Sequence, residues 1–280
     1  MNDLISTAKQ TMIELYSLQQ PTDDFLFYIY NHPEAPFKDA YLNQEIVCLM
    51  SGGIDSVIGY YVAKQKFKNV RAVYVDYGYK YSEVEKATIL SLGIDCIVYD
   101  FSEIKQYQIE GEKYWGEIFP GRNWLLCTIA GSLFHTRGEI WIMAISGEVK
   151  KKWGDKTELL FSEGSKRLSQ YYRCAIEIRA PFSNFTKGRL IQYFLSLGGD
   201  VNYLKKTVSC HEITKIGQIP CGKCMGCCHR YIGMKFNNID EEYDSDVHLN
   251  ATMLYRDAIN DPFSGFNADR INEIKTVLKL

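Results

Sequence analysis

Two groups of residues in this chain have the types and spacing to do chemistry. The first is Ser51-Gly52-Gly53-Ile54-Asp55-Ser56. It follows the apolar run Ile46 to Met50 and opens a helical pattern carried by Val57, Ile58, Tyr61 and Val62. Glycines let a backbone approach a ligand closely, the first N–H groups of a helix point outward, and the helix dipole favours negative charge there. The chemistry that suits such a turn is phosphate binding. Its spacing is neither that of a Walker loop nor the G-x-G-x-x-G of a dinucleotide fold. The second group is Cys210, Cys221, Cys224 and Cys227, in which two C-x-x-C steps share their middle cysteine. Four soft thiolates in this pattern suit Zn²⁺ first and an iron–sulfur cluster second. Cys228 and His229 compete as ligands, but Cys227 keeps the regular two-residue step. No position is left for water, so a structural metal site is expected.

Alternating elements must carry these groups. A buried strand up to Met50 and a helix after Ser56 are followed by a second strand over Arg71 to Gly78, a helix over Ser82 to Leu92 and a third strand over Ile94 to Tyr99. Pro120-Gly121-Arg122-Asn123 precedes an apolar helix through Leu125, Ile129 and Leu133. A fourth strand is expected over Glu139 to Ser146 and a helix over Leu159 to Leu168. A fifth strand over Ile176 to Pro181 then leads to a helix from Thr186-Lys187 to Leu197. This alternation predicts an α/β fold with a doubly wound parallel sheet and right-handed crossovers. Ligands in such sheets sit beyond the carboxyl ends of the strands. Ser51-Gly52-Gly53 and Asp76-Tyr77-Gly78 both fall there. The expected organisation is an N-terminal extension over 1–44, the α/β domain over 45–200, a zinc-binding region over 201–236 and a helical tail over 237–280. Within the extension, Phe25 to Tyr30 could add an edge strand. Within the tail, helices are expected around Ala251 to Ile259 and Ala268 to Leu278.

Composition narrows the class. Hydrophobic residues make up 46% and charged residues 24%, the balance of a globular domain. A formal charge of -2 supplies no basic field, which argues against nucleic acid as a partner. No apolar run reaches membrane-spanning length, and the N-terminus has no signal-peptide core, so a cytoplasmic protein is expected. Nine cysteines, five of them between Cys210 and Cys228, read in a reducing compartment as a metal site rather than a disulfide framework.

The turn Ser51–Ser56 matches S-G-G-x-D-S and resembles the signature of the PP-loop ATP pyrophosphatases, which split ATP between its α and β phosphates. Adding Asp76-Tyr77-Gly78, Pro120-Gly121-Arg122-Asn123, Cys210 and Cys221-Gly222-Lys223-Cys224-x-x-Cys227-x-x-Arg230, the chain resembles the 7-cyano-7-deazaguanine synthase family over about Glu45 to Met234. The resemblance implies a PP-loop, adenine nucleotide α-hydrolase-like fold. It also implies ATP, Mg²⁺ and Zn²⁺ as cofactors and a small deazapurine as substrate. The family adenylates the carboxylate of 7-carboxy-7-deazaguanine, lets ammonia displace AMP to give an amide, and dehydrates the amide to the nitrile with a second ATP. On this resemblance Ser51, Gly52, Gly53, Asp55 and Ser56 hold phosphate, and Asp55 also binds Mg²⁺. Asp76 and Tyr77 lie near the adenosine. Arg122 reaches phosphate or the acyl group beside Asn123, and Lys187, in a T-K step, faces pyrophosphate.

One segment departs from the family. Where the family carries D-x-S-G-Y-P-D-C-R after the fourth strand, this chain has Glu148 to Thr157, EVKKKWGDKT. Only Asp155 corresponds, and Trp153 could stack on a purine-like base. The ATP chemistry is thus expected to stay while the acceptor is open: ammonia, or the amine of a peptide or protein. Other readings are a PP-loop tRNA-modifying enzyme and a nucleotide-binding module without turnover. The single metal-type cysteine set and the charge disfavour the first; the retained Asp55, Arg122 and Lys187 disfavour the second. A homodimer is compatible with the chain.

Overall fold

The structure is a computed structural model that describes residues 44–107, 121–149, 156–261 and 266–280. The edge strand expected at Phe25 to Tyr30, and with it nearly all of the extension over 1–44, lies outside the described residues. Five parallel strands form one sheet in the order β3-β2-β1-β4-β5. These are β1 (Glu45–Leu49), β2 (Asn69–Asp76), β3 (Cys96–Asp100), β4 (Arg137–Trp141) and β5 (Ala175–Arg179). The order reverses between β1 and β4, which makes a switch point beside the carboxyl end of β1.

Both faces of β1 are buried, which is why its sequence is uniformly apolar. Ile46 and Cys48 point into one core with Ile54, Val57 and Ile58 of α1 (Ile54–Lys66), Ile89 of α2 (Ser82–Ser91) and Leu190 and Phe194 of α5 (Lys187–Ser196). Val47 and Leu49 point the other way, into a core with Cys127 and Ala130 of α3 (Arg122–Gly131) and Leu168 of α4 (Glu158–Tyr172). The period-two alternation of side chains thus divides one strand between two helical layers. Of the four cysteines scattered on apolar segments, Cys48, Cys127 and Cys174 are buried thiols in these cores, while Cys96 is only half-buried at the start of β3.

The fourth strand is shorter than the apolar run Glu139 to Ser146 implies. It stops at Trp141; Ile142 N–H still reaches Arg179 O of β5 at 2.8 Å, and the buried run to Ser146 then leaves the ladder. Ala144 N–H turns back to Ile142 O at 2.8 Å, and Ser146 N–H reaches Phe185 O at 2.8 Å. An apolar run reports burial, and here burial outlasts strand pairing.

The cysteine region and the tail form one cap on this layer. After the short helix α6 (Val201–Lys205) come α7 (Met225–Phe236), α8 (Val247–Ala258) and α9 (Ala268–Leu278). Helix α7 starts inside the cysteine motif, with Cys224 as its N-cap. The sequence pattern did not reveal it, because metal-type cysteines hide the helical period. Cys228 and Ile232 of α7 pack with Ala251 and Tyr255 of α8 and with Ile274 and Leu278 of α9. Among the described residues no helix is long and apolar enough to cross a membrane.

Candidate active site

A cavity of about 340 Å³ opens at the carboxyl edge of the sheet, over the switch point. Its floor is the turn between β1 and α1. Gly52 has φ +65°, and a Cβ there would stand 3.1 Å from Glu85 O of α2, so the turn requires glycine. Ser56 Oγ donates to Gly53 O at 3.0 Å and accepts from Ser51 N–H at 3.2 Å. Its hydroxyl therefore shapes the turn. The first N–H groups of α1 meet no capping side chain, since Gly53 is the N-cap. The same holds for α2, whose N-cap is Tyr81, and α3, whose N-cap is Gly121. In contrast, Thr157, Thr186, Asp200, Cys224, Asp246 and Asn267 cap the later helices with their own side chains. The uncapped starts carry Ser51, Gly53, Tyr81, Arg122 and Asn123 into the cavity wall. An anion there would meet N–H groups and positive helix ends.

The charged groups converge from distant segments. Lys187, the first residue of α5, brings Nζ to 2.7 and 2.6 Å from the two carboxylate oxygens of Asp55. Arg122 enters from α3. Glu148 and Lys156 form an ion pair of 2.7 Å on the same wall. Burial would raise the Glu148 carboxyl, but Lys156, Lys187 and His229 outweigh it and hold it at about 2. His229 is pushed down to about 3 by burial and by the neighbouring Arg270 and Lys187 cations. Glu85 is pushed up to about 8 by burial, although Tyr74 donates to it at 2.8 Å and Arg122 stands near. Burial thus raises one carboxyl of the cavity, while cationic neighbours hold another down.

An aromatic wall faces this polar floor. Tyr79 and Tyr81 are stacked at 5.3 Å, and Tyr81 stacks on His211 at 5.6 Å. Tyr77 meets Tyr79 edge-on at 6.1 Å. The alternation Tyr77-x-Tyr79-x-Tyr81 was the available sequence signal for this wall, and it was read only as far as Gly78. Glu85 and His211 had no local signal; His229 stood out only as a competing metal ligand, and Glu148 and Lys156 only as members of the divergent segment Glu148 to Thr157.

The other expected residues fall in different places. Ser51, Gly53, Asp55, Ser56, Tyr77, Arg122, Asn123 and Lys187 all line the cavity. Gly52 lies buried beneath the turn. Asp76 is buried as well: its carboxylate accepts from Gly78 N–H at 2.8 Å and pairs with Lys86 at 2.7 Å, shaping the turn after β2. Trp153 and Asp155 lie outside the described residues.

The four cysteines Cys210, Cys221, Cys224 and Cys227 come together, with all Sγ atoms within 4.8 Å of one another. Thiolates on one zinc ion at about 2.3 Å each stand roughly 3.8 Å apart, and Cys221 Sγ lies 3.9 Å from Cys227 Sγ. Backbone N–H groups of Cys221, Lys223, Cys224 and Cys227 each donate to a sulfur of the set at 3.4 Å, as suits thiolates. The residues therefore fit a single tetrahedral ion with no open position. Cys228 turns away into the tail core, and His229 turns to Arg270. The cage also touches the phosphate turn. Val208 N–H donates to Gly52 O at 3.0 Å, two residues before Cys210. Arg230 holds the preceding loop by donating to Thr207 O at 2.9 Å and Leu204 O at 3.0 Å, while Glu241 grips its guanidinium twice.

A doubly wound parallel sheet with a glycine turn over its switch point, a converging lysine–aspartate pair and an attached cysteine cage defines an α/β protein of the PP-loop type. The chain belongs to the QueC family: the model of the queuosine biosynthesis protein QueC matches residues 45–238. Relatives named 7-cyano-7-deazaguanine synthase include that of Methanocaldococcus jannaschii, 25% identical over 66% of this chain and 91% of its own length. The one from Leptospira interrogans is 26% identical over 71% of this chain and 90% of its own length. The one from Psychrobacter cryohalolentis is 22% identical over 71% and 89%. The tail beyond residue 238 is outside the family match.

Proposed function

We propose that this chain uses ATP to adenylate the carboxylate of 7-carboxy-7-deazaguanine and passes the acyl group to an amine, with ammonia as the leading acceptor. The observation that carries this reading is the convergence of the uncapped start of α1, the Lys187–Asp55 pair and Arg122 on one cavity. The family membership and the names of the relatives support the same substrate.

A carboxylate is a poor electrophile, and AMP converts it to a good one. In the first step a carboxylate oxygen attacks the α-phosphorus, the α–β bridging P–O bond breaks, and pyrophosphate leaves. Charge then builds on the departing phosphates. The N–H groups of Ile54, Asp55 and Ser56 and the Lys187 ammonium stand ready for it before the reaction begins, which is what makes such stabilisation effective. Arg122 faces them across the cavity. Ammonia next attacks the acyl carbon, AMP leaves, and the amide forms. In a second round the amide oxygen attacks the α-phosphorus of another ATP and pyrophosphate leaves; loss of AMP and protons from the adenylated amide then gives the nitrile. The aromatic wall of Tyr77, Tyr79 and Tyr81 suits a flat base, because a ring face accepts stacking from any purine-like system.

Asp55, whose two oxygens here accept from Lys187, would be the hard oxygen donor for Mg²⁺. Magnesium is commonly held by one or two carboxylates plus substrate phosphates, so a single carboxylate beside the phosphate turn fits. When bound, the ion would neutralise phosphate charge. The cysteine cage would hold Zn²⁺ and fix the loop that supports Gly52.

The sulfur-transfer reading of the PP-loop class weakens further: of the five cysteines outside the cage, Cys48, Cys127, Cys174 and Cys228 are buried, and the half-buried Cys96 does not line the cavity. The test is pyrophosphate release with 7-carboxy-7-deazaguanine, with and without ammonia, and mass analysis of the product. Release that depends on the deazaguanine, with a nitrile formed when ammonia is present, is expected. Release with no ammonia-derived product would move the acceptor to another amine. No release with this substrate would overturn the reading.

A further inference from the structure

We propose that the tail helix α9, beyond the family match, belongs to the pyrophosphate side of the site, and that Glu273 is a positioning residue for Lys187. The inference rests on the functional reading above.

Glu273 is 4% exposed and lies against the start of α5. Both of its carboxylate oxygens accept from Gly188 N–H at 3.1 Å, and Thr186 Oγ1 donates to one of them. Lys187 lies between these two residues. Its backbone is therefore held on both sides by one carboxylate, which also complements the positive end of α5. The sequence of α5 accommodates this. A Cβ on Gly188 would stand 2.6 Å from Glu273 Oε2 and 2.6 Å from Phe236 Cδ1. Nothing larger than glycine fits while the tail carboxylate is in place.

The lysine stem is confined as well. A Cβ on Gly233 of α7 would stand 2.6 Å from Lys187 Cγ, so the stem runs directly over that glycine. Asn237 Nδ2 bridges the two glycines, donating to Gly188 O and Gly233 O at 2.9 Å each. Only the ammonium reaches the cavity, where Asp55 meets it. Helix α9 is itself fixed to the cavity wall one turn earlier. Arg270 donates to Ser146 O at 2.9 Å and contacts His229 Nε2 at 3.1 Å. A guanidinium only donates, so Nε2 accepts and the imidazole proton sits on Nδ1. The tail thus sets both a lysine and a histidine of the cavity.

A residue that acts through another loses its effect when the other is gone. The test measures magnesium pyrophosphate binding by calorimetry to the full chain, to Glu273→Ala, to Lys187→Met and to the double variant. Glu273→Gln, which keeps the side-chain volume, replaces Glu273→Ala if the latter does not fold by circular dichroism. The expected result is a loss of about tenfold in affinity on removing Glu273 in the wild-type background and less than about twofold in the Lys187→Met background. Equal losses in both backgrounds, or no loss in a folded Glu273 variant, would overturn this inference alone. A wild-type chain that binds no pyrophosphate would overturn it together with the functional reading.

Discussion

Lys187 and Asp55 meet as a doubly hydrogen-bonded ion pair at 2.7 and 2.6 Å, although 132 positions separate them in the chain. The pair closes the site: it joins the start of α5 to the first turn of α1 directly over the phosphate turn. With side-chain exposures of 11% and 21%, both residues line the open cavity, so water can take up either charge once its partner is removed, and breaking the pair costs less than breaking an enclosed one. On the proposed function, the pair's place serves the charge that develops on the departing phosphates.

The first prediction follows from that contrast. Lys187→Met and Asp55→Ala should each lower the rate of pyrophosphate release by about 10²-fold or more, with melting temperatures close to wild type. Steady-state rates and thermal denaturation check it. Full activity in either variant would remove the pair from the mechanism.

Glu85 makes stability depend on pH. Its folded-state carboxyl is raised to about 8 from 4.5, chiefly by burial. Between those values the folded chain holds a proton that the unfolded chain has released, so this group's contribution falls as pH rises through that window. Glu85→Gln stays neutral at every pH. The variant should flatten the decline in melting temperature from about pH 5 to pH 8 and be the more stable form above pH 8. A parallel pH profile for variant and wild type would contradict this.

The cysteine cage should govern the phosphate turn. Zinc analysis is expected to find one ion per chain. Chelation, or Cys221→Ser, should cost a large part of the roughly 10 kcal/mol that such sites contribute to folding. Because Val208 ties the cage to Gly52 O, nucleotide affinity should fall before the sheet unfolds. Titration with a chelator, followed by both nucleotide binding and far-ultraviolet dichroism, separates the two events. Coincident loss would mean that the cage supports the whole fold rather than the turn.

Arg230 and Glu241 form a buried pair, with side-chain exposures of 4% and 11%. Arg230→Met leaves the Glu241 carboxylate without its guanidinium and should cost about 3–5 kcal/mol in urea unfolding. Replacing both residues with apolar ones of similar size should restore much of that loss. If the double variant is as unstable as the single, the pair is more than a satisfied charge.

The legible parts of this protein were those whose physics is local. A glycine turn between an apolar run and a helix start marked the floor of the cavity, because φ and close approach are properties of a few adjacent residues. Cysteine spacing marked the metal cage for the same reason. Period and burial placed all five strands, although apolar content overstated β4 by five residues. The motif for Asp76 was legible while its use was not. Whether a carboxylate faces a ligand or, as here, folds onto Gly78 and Lys86 depends on what α2 brings back to it. Glu85 and Glu273 gave no signal, and the places of Glu148 and His229 in the cavity were hidden, for a related reason. A carboxylate or imidazole has the same letter whether it is solvated or walled in. Contacts such as Glu273 to Gly188, 85 positions apart, exist only once the helices are packed. The sequence by itself determined which backbone could hold phosphate and which thiols could hold metal. Tertiary packing decided which charges face each other in the cavity, because it alone sets their distance and their burial.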